Sequence, residues 1–305
     1  MRTRFGSSPE PIPCGFAAAV ADAERLAILL PERSDDDGSD VRDFGLGSVL
    51  LWARNLDQPL LVIAPADRAG AVARHALDFE LISTWMLEGT SIIEVKPDPL
   101  PEVPTLSDAT LARVELFASA GAVPIDDFGR LIAEVEGLEI ARTEPGGEVL
   151  IGVGAADREL HSYVHGHQEI SVSLAKAASA VTAIRRQGAA GHPLNRRARQ
   201  RWLRSAAFAR PELLGAGRLE MLPPLGERVL QLGPEPCAAL DPDEDVLFVF
   251  SAGIDPEVVP SAADFRRRHR PTRTVIVTSE SDAFPATAEI ARSVSIETTT
   301  IPSPY

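Results

Sequence analysis

The feature that most constrains this chain is an alternation of apolar residues broken by a turn: Leu138 and Ile140, then Val149, Ile151 and Val153, with Glu144-Pro-Gly-Gly-Glu148 between them. A period of two is that of strands with one buried face, and Pro-Gly-Gly supplies the backbone angles a reversal needs. The segment from Arg130 to His167 is therefore expected to hold an antiparallel hairpin, and a fold containing it cannot be all-helical.

On either side, apolar runs of strand length alternate with helical periodicity. Before the hairpin, strands are expected at 26–30, 60–64 and 91–95. Leu46, Val49, Leu50 and Ala53 mark a helix at i, i+3, i+4 and i+7, and a helix over 68–79 is expected to be capped by Asp67. After it, strands are expected at 246–250, 274–278 and 294–301. A capping box at Ser261 and Asp264 should start one intervening helix, and Pro285 should open the other. This predicts a mixed α/β protein, with two α/β lobes of mainly parallel strands flanking a central antiparallel hairpin and helical region. The prolines from Pro97 to Pro104 and the irregular stretch beyond Pro211 suggest three parts: 1–97, 105–212 and 240–305.

A chain of 305 residues can build one or two cores. No apolar run approaches the ~20 residues a membrane-spanning helix needs. Pro11, Pro13, Asp22 and Glu24 interrupt what a secretory leader would keep apolar, so a cytoplasmic protein with no membrane contact is expected. Cys14 and Cys237 lie far apart with no ligand-spaced companion, which argues against a disulfide framework and a zinc site. Neither a G-x-G-x-x-G nor a G-x-x-x-x-G-K-[ST] pattern occurs, and no cofactor is expected.

Charge is unevenly spread. The net charge is −14, yet no acidic residue lies between Glu169 and Glu212, a stretch with Lys176 and eight arginines; the rest of the chain then carries −23. Within that stretch a helix over 191–203 and beyond would line up Arg197, Arg201 and Arg204 at i, i+4 and i+7. Trp202 would lie beside that cationic stripe, able to stack on a base or a partner side chain. These four residues are the candidates for contact with an anionic partner, either nucleic acid or an acidic protein surface. The competing reading is a solvated face that answers carboxylates elsewhere.

Open parallel sheets bind ligands beyond the carboxyl ends of their strands, which singles out Asp67, Ser251, Asp255, Ser281 and Asp282. His161 and His165, at i and i+4, are the candidate metal pair by spacing. Ser34 to Asp40 reads as a solvated acidic loop.

Between residues 106 and 186 the order helix, three strand-like runs, helix, with Glu115, Glu134, Glu136 and Glu139, resembles the core of the PD-(D/E)XK nucleases. The resemblance implies a divalent metal held by Glu136 and Glu139. It departs from the family pattern at Leu150-Ile-Gly-Val153, where Glu-x-Lys belongs, and no lysine lies between Lys96 and Lys176. Three functions are thus in view: a non-enzymatic binding or regulatory protein using the arginine-rich segment, a divergent or inactive nuclease, and a scaffold with internally paired charges.

Overall fold

The structure is a computed structural model. It describes the chain apart from residues 1–9, 12–17, 22–24, 32–44, 56–57, 90, 166–167, 187–190 and 227–234, and apart from the side chains of 10–11, 20–21 and 161–165. The acidic loop at 34–40, Cys14 and the side chains of His161 and His165 lie outside the described residues. The mixed α/β content expected from the sequence is present, in three sheets.

The first sheet is built from β1 (Glu10–Pro11), β2 (Ala18–Ala21), β3 (Leu26–Leu29), β4 (Leu60–Ala64), β5 (Ile82–Glu88) and β6 (Ser91–Glu94), which neighbour one another in chain order. Strands β3, β4 and β5 are parallel, while β1, β2 and β6 join antiparallel. Strands β3 and β4 read as unbroken apolar runs, as central parallel strands do: Leu26, Ile28, Val62 and Ile63 are all buried. Helix α1 (Leu46–Ala53) buries Leu46, Val49, Leu50 and Ala53, the stripe expected from spacing. Helix α2 (Ala69–His75) departs from expectation at its start. Arg68 is its N-cap and Asp67 is exposed, so no side chain caps the helix.

The hairpin belongs to a second, wholly antiparallel sheet. Helices α3 (Asp108–Leu111) and α4 (Val114–Ser119) stand where one helix was expected at the start of the 106–186 segment. Strands β7 (Val123–Asp126), β8 (Leu131–Val135), β9 (Leu138–Thr143) and β10 (Val149–Ile151) follow, in the order β10-β9-β8-β7. Val149 pairs with Thr143 and Ile151 with Ala141. Helices α5 (Ala155–His165), α6 (Ile170–Ile184) and α7 (Arg199–Ala209) come next. Leu174, Ala178 and Val181 of α6 pack with Phe117, Leu131 and Ile140 in one core.

The expected basic helix from Gly191 is corrected. Pro193 to Arg196 form a 3-10 turn, Ala198 adopts the left-handed conformation at φ 47°, and α7 starts only at Arg199. Arg197 therefore stands outside the helix that carries Arg201 and Arg204.

The third sheet has the order β11 (Glu220–Met221), β12 (Cys237–Asp241), β13 (Val246–Phe250), β14 (Arg273–Ser279) and β15 (Glu297–Ile301), with α8 (Val258–His269) and α9 (Pro285–Ser293) in the intervening chain. Strands β13 and β14 are parallel, and β12 is antiparallel to β13. Strand β12 lies in a stretch the sequence presents as irregular. Helix α8 begins at Val258, so Ser261 and Asp264 are not its cap, and Asp264 is buried in mid-helix. Leu203 and Ala207 of α7 pack with Phe248, Phe250 and Val277 in the core of this sheet.

The chain forms two compact units interleaved in sequence. One comprises Met1–Leu100, Pro256–Arg268 and Phe284–Glu297; the other comprises Pro101–Asp255, His269–Ala283 and Thr298–Tyr305. The second unit thus contains both the antiparallel sheet and the third sheet, with α7 in contact with β12, β13 and β14. Among the described residues no helix is long and apolar enough to cross a membrane.

Candidate functional site: a buried arginine–carboxylate cluster

Strands β8 and β9 are joined by Glu136 and Gly137, both with positive φ (46° and 75°), the two-residue reversal whose twist matches the strands it connects. Gly137 is required for a second reason: a Cβ there would lie 2.2 Å from the Trp202 backbone nitrogen. The turn is therefore pressed against the first turn of α7, which brings the arginines of that helix to the end of the β8–β9 ladder.

The register sets Glu134 directly opposite Glu139, next to an irregularity at Ala133/Glu134. Both carboxylates are buried. Like charges facing each other across two strands are destabilising, and each buried ion needs a partner. Four arginines meet that need. Arg142 donates to Glu139 through Nε at 2.7 Å and Nη2 at 3.0 Å, a bidentate pair, and Arg158 Nη1 adds a third bond at 3.1 Å. Arg201 and Arg204 each reach Glu134 at 3.2 Å. Burial pushes the Glu139 carboxyl up, but the Arg142 hydrogen bonds and the charges of Arg142, Arg201 and Arg158 outweigh it and hold it below its ordinary value.

Arg185, at the end of α6, is buried and binds backbone rather than carboxylate. It donates to the carbonyls of Glu136 and Leu194 at 2.8 Å each and to that of Arg197, and its guanidinium sits 4.7 Å from the centre of the Trp202 ring. Burial, then the charge of Arg201, lowers its pKa to about 10. Trp202 is only 3% exposed, and its other neighbour is Tyr305, with ring centroids 5.9 Å apart. Of the cationic stripe expected at the surface, Arg204 is buried, Arg201 nearly so and Arg197 half-buried, and Trp202, expected beside it, is buried as well.

Of Glu136 and Glu139, the pair implied by the nuclease resemblance, Glu139 alone lies on a strand. Glu136 sits in the turn, where burial pushes its carboxyl up and Arg185 pulls it down by less. Glu134 takes the position beside Glu139. Among the described residues no three His, Cys, Asp or Glu side chains are grouped to hold a metal ion.

The strand-end residues divide between the units. Asp67 follows β4 in the first. In the second, Ser251 Oγ donates to Asp255 at 2.8 Å beyond β13, and the Ser279 and Ser281 hydroxyls are 3.0 Å apart beyond β14. Asp282 accepts from the Tyr305 hydroxyl at 2.5 Å and from Arg199 at 3.3 Å, while the Arg199 guanidinium stacks 3.9 Å from the centre of the Tyr305 ring. Burial and the bond to Asp282 push the Tyr305 hydroxyl up to about 12. Arg199 and Tyr305 have no motif in the sequence. They reach Asp282 because α7 and the C-terminal residues come to the end of β14.

A cavity of about 40 Å³ opens beside the cluster, lined among others by Asp127, Glu134, Arg201, Arg204, Glu235 and Cys237. Against models of protein families, curated proteins and solved structures, the chain finds no match.

Proposed function

We propose that this chain is a non-enzymatic binding or regulatory protein that meets an anionic partner through the cations its arginine-rich segment leaves at the surface. The observation that supports this reading is the division of that segment. Arg185, Arg201 and Arg204 are committed to buried partners, whereas Lys176, Arg186, Arg196 and Arg210 are exposed in a stretch with no acidic residue to oppose them. Exposed cations on an otherwise acidic chain favour a local polyanionic contact over a general coat. A cytoplasmic location is part of the proposal.

The nuclease alternative is disfavoured by the occupants of its carboxylates. A divalent ion at Glu134 and Glu139 would have to displace up to four guanidiniums that already neutralise them.

The test is binding of duplex DNA, RNA and heparin as a function of salt. Arg186, Arg196 and Arg210 changed together to Gln should weaken association and flatten the log-log salt slope by roughly 0.9 for each phosphate no longer neutralised. A wild-type protein without affinity for any of the three at low salt removes the polyanion reading. Tight, stoichiometric binding of magnesium or manganese that disappears with Glu139→Ala would reinstate the nuclease.

A further inference from the structure

We propose that Cys237 is a reactive thiol, held as its thiolate by Arg204 in the cavity where α7 meets the start of β12, and that small hydroperoxides are the substrate class it takes. This does not rest on the anionic-partner reading.

The geometry begins with Gln200. Its Nε2 donates at 2.9 Å to the carbonyl of Glu235, two residues before Cys237, and so fixes the first turn of α7 over the entry to β12. Arg204 lies one turn further on the same helical face, and it lines the cavity together with Cys237. Nη2 of Arg204 is given to Glu134, but its Nε is a buried N–H with no hydrogen-bond partner. A buried cationic donor left unsatisfied is costly, and an anionic sulfur is the acceptor that its neighbour can supply. Burial works against the charge on Arg204; the Cys237 sulfur, followed by Glu134, outweighs it and holds the guanidinium above its ordinary value.

The other charged groups around the cavity are Arg201, which shares Glu134, and the half-buried Asp127 and Glu235, of which Asp127 also acts on Arg204. Arg204 is the fully buried cation among them, and Cys237 lines the same cavity. Cys237 also belongs to the apolar core that holds Leu203 and Ala207. Apolar contact alone would raise the thiol pKa, so the arginine decides the balance. A cavity of about 40 Å³ exceeds the ~10–15 Å³ that one water needs, so a small hydroperoxide fits.

In the reaction the thiolate attacks the terminal oxygen of the hydroperoxide. An S–O bond forms and the O–O bond breaks, its electron pair leaving on the alkoxide, or on hydroxide when the reagent is hydrogen peroxide; the alkoxide takes a proton from water. Sulfur is oxidised by two electrons to sulfenic acid, and the peroxide is reduced to alcohol or water.

The experiment exposes the full native chain to hydrogen peroxide across a pH series. Sulfenic acid is trapped with a dimedone-type reagent and each cysteine is read by peptide mass spectrometry, which separates Cys237 from Cys14. The expected result is a rate midpoint at Cys237 below the ~8.5 of an ordinary thiol. At neutral pH the native site should react at least about threefold faster than the same cysteine in urea, since the gain in thiolate outweighs its lower intrinsic nucleophilicity. Arg204→Gln should move the midpoint above ~8.5. If that variant does not fold, the wild-type profile decides alone. A midpoint at or above ~8.5, or a native rate no faster than the unfolded one, overturns the proposal.

Discussion

The arginines at 201 and 204 and those at 266 and 267 look alike in sequence and are used differently. Together with Arg142 and Arg158, the first pair closes over Glu134 and Glu139 with guanidinium side chains only 3–16% exposed. The second pair, on α8, reaches two carboxylates of its own unit, Asp78 and Asp264, with side chains 26–27% exposed. Asp264 is itself buried and also holds Arg74 at 2.9 Å and His75 at 3.2 Å. Arginine density therefore does not say whether a charge faces water; the burial of the facing carboxylate does. Around Glu134 both ions are out of solvent, so losing either partner strands the other. Around Asp264, Arg74 is as covered as Arg201, but His75 and Arg267 keep water on one side and can recover part of the loss.

The difference predicts a graded series. Glu134→Gln should be the most damaging change, costing about 3–5 kcal/mol in urea denaturation, because it takes from the buried Arg204 the carboxylate it is hydrogen-bonded to. A cost under about 1 kcal/mol would mean that water reaches Arg201 and Arg204 in solution. Asp264→Asn should cost less, about 2 kcal/mol, the scale of charge-assisted hydrogen bonds removed from partners that water can still solvate. If it proves as costly as Glu134→Gln, exposure is the wrong way to rank the two clusters.

Acid should separate them from the rest of the surface. Glu139 and Asp264 are both held below their ordinary values, in each case against burial: Glu139 by its arginines, Asp264 by His75 and Arg74. A depressed folded pKa gives stability that is present above the unfolded value of roughly 4 and is lost as pH falls through the folded one. Stability should thus drop below about pH 4.5, at no more than ~1.4 kcal/mol per pH unit for each group. Glu139→Gln should flatten that slope, and an unchanged acid profile would count against its pairing.

Arg199, from the same segment as Arg201, gives a spectroscopic check. With Tyr163 replaced by Phe, the phenolate absorbance of Tyr305 should appear with a midpoint of about 12. This raised value means the stability tied to the neutral phenol persists below pH ~10 and is lost as pH rises towards 12. A midpoint near 10 would place the ring outside its contact with Asp282. The smallest effect belongs to Arg218, whose bonds to Glu220 and Asp243 join side chains more than half exposed. Arg218→Ala should change stability by only about 0–1 kcal/mol.

Much of the fold was legible because its signals are local. The runs Leu-Leu-Val-Ile-Ala at 60–64 and Val-Leu-Phe-Val-Phe at 246–250 could only be buried strands, and the turn between β9 and β10 carries its own glycines. Ser251 and Asp255 could be placed at a strand end for the same reason, and they do meet there. Strand β12 was hidden because Cys-Ala-Ala-Leu-Asp has little β-propensity; its pairing with β13 holds it in the sheet. The break at Ala198 had no signal, since alanine is a strong helix former that here adopts a left-handed conformation within a packed turn. Nor could the sequence choose between Glu134 and Glu136 as the neighbour of Glu139, because that depends on where the reversal falls.

The sequence by itself determined the periodicities, the strand-helix alternation and the uneven distribution of charge, since each follows from residues a few positions apart. Only the tertiary structure decided which charges are used up inside. Glu134 and Arg204 are 70 residues apart, and their meeting depends on the β8–β9 register and on the close approach of Gly137 to α7. On a helix that begins at Arg199 instead of Gly191, Arg201 and Arg204 meet the buried Glu134, while Arg186, Arg196 and Arg210 lie outside that helix and in water. Burial makes the first group part of the fold, because a buried ion without its counter-ion costs far more than an exposed one.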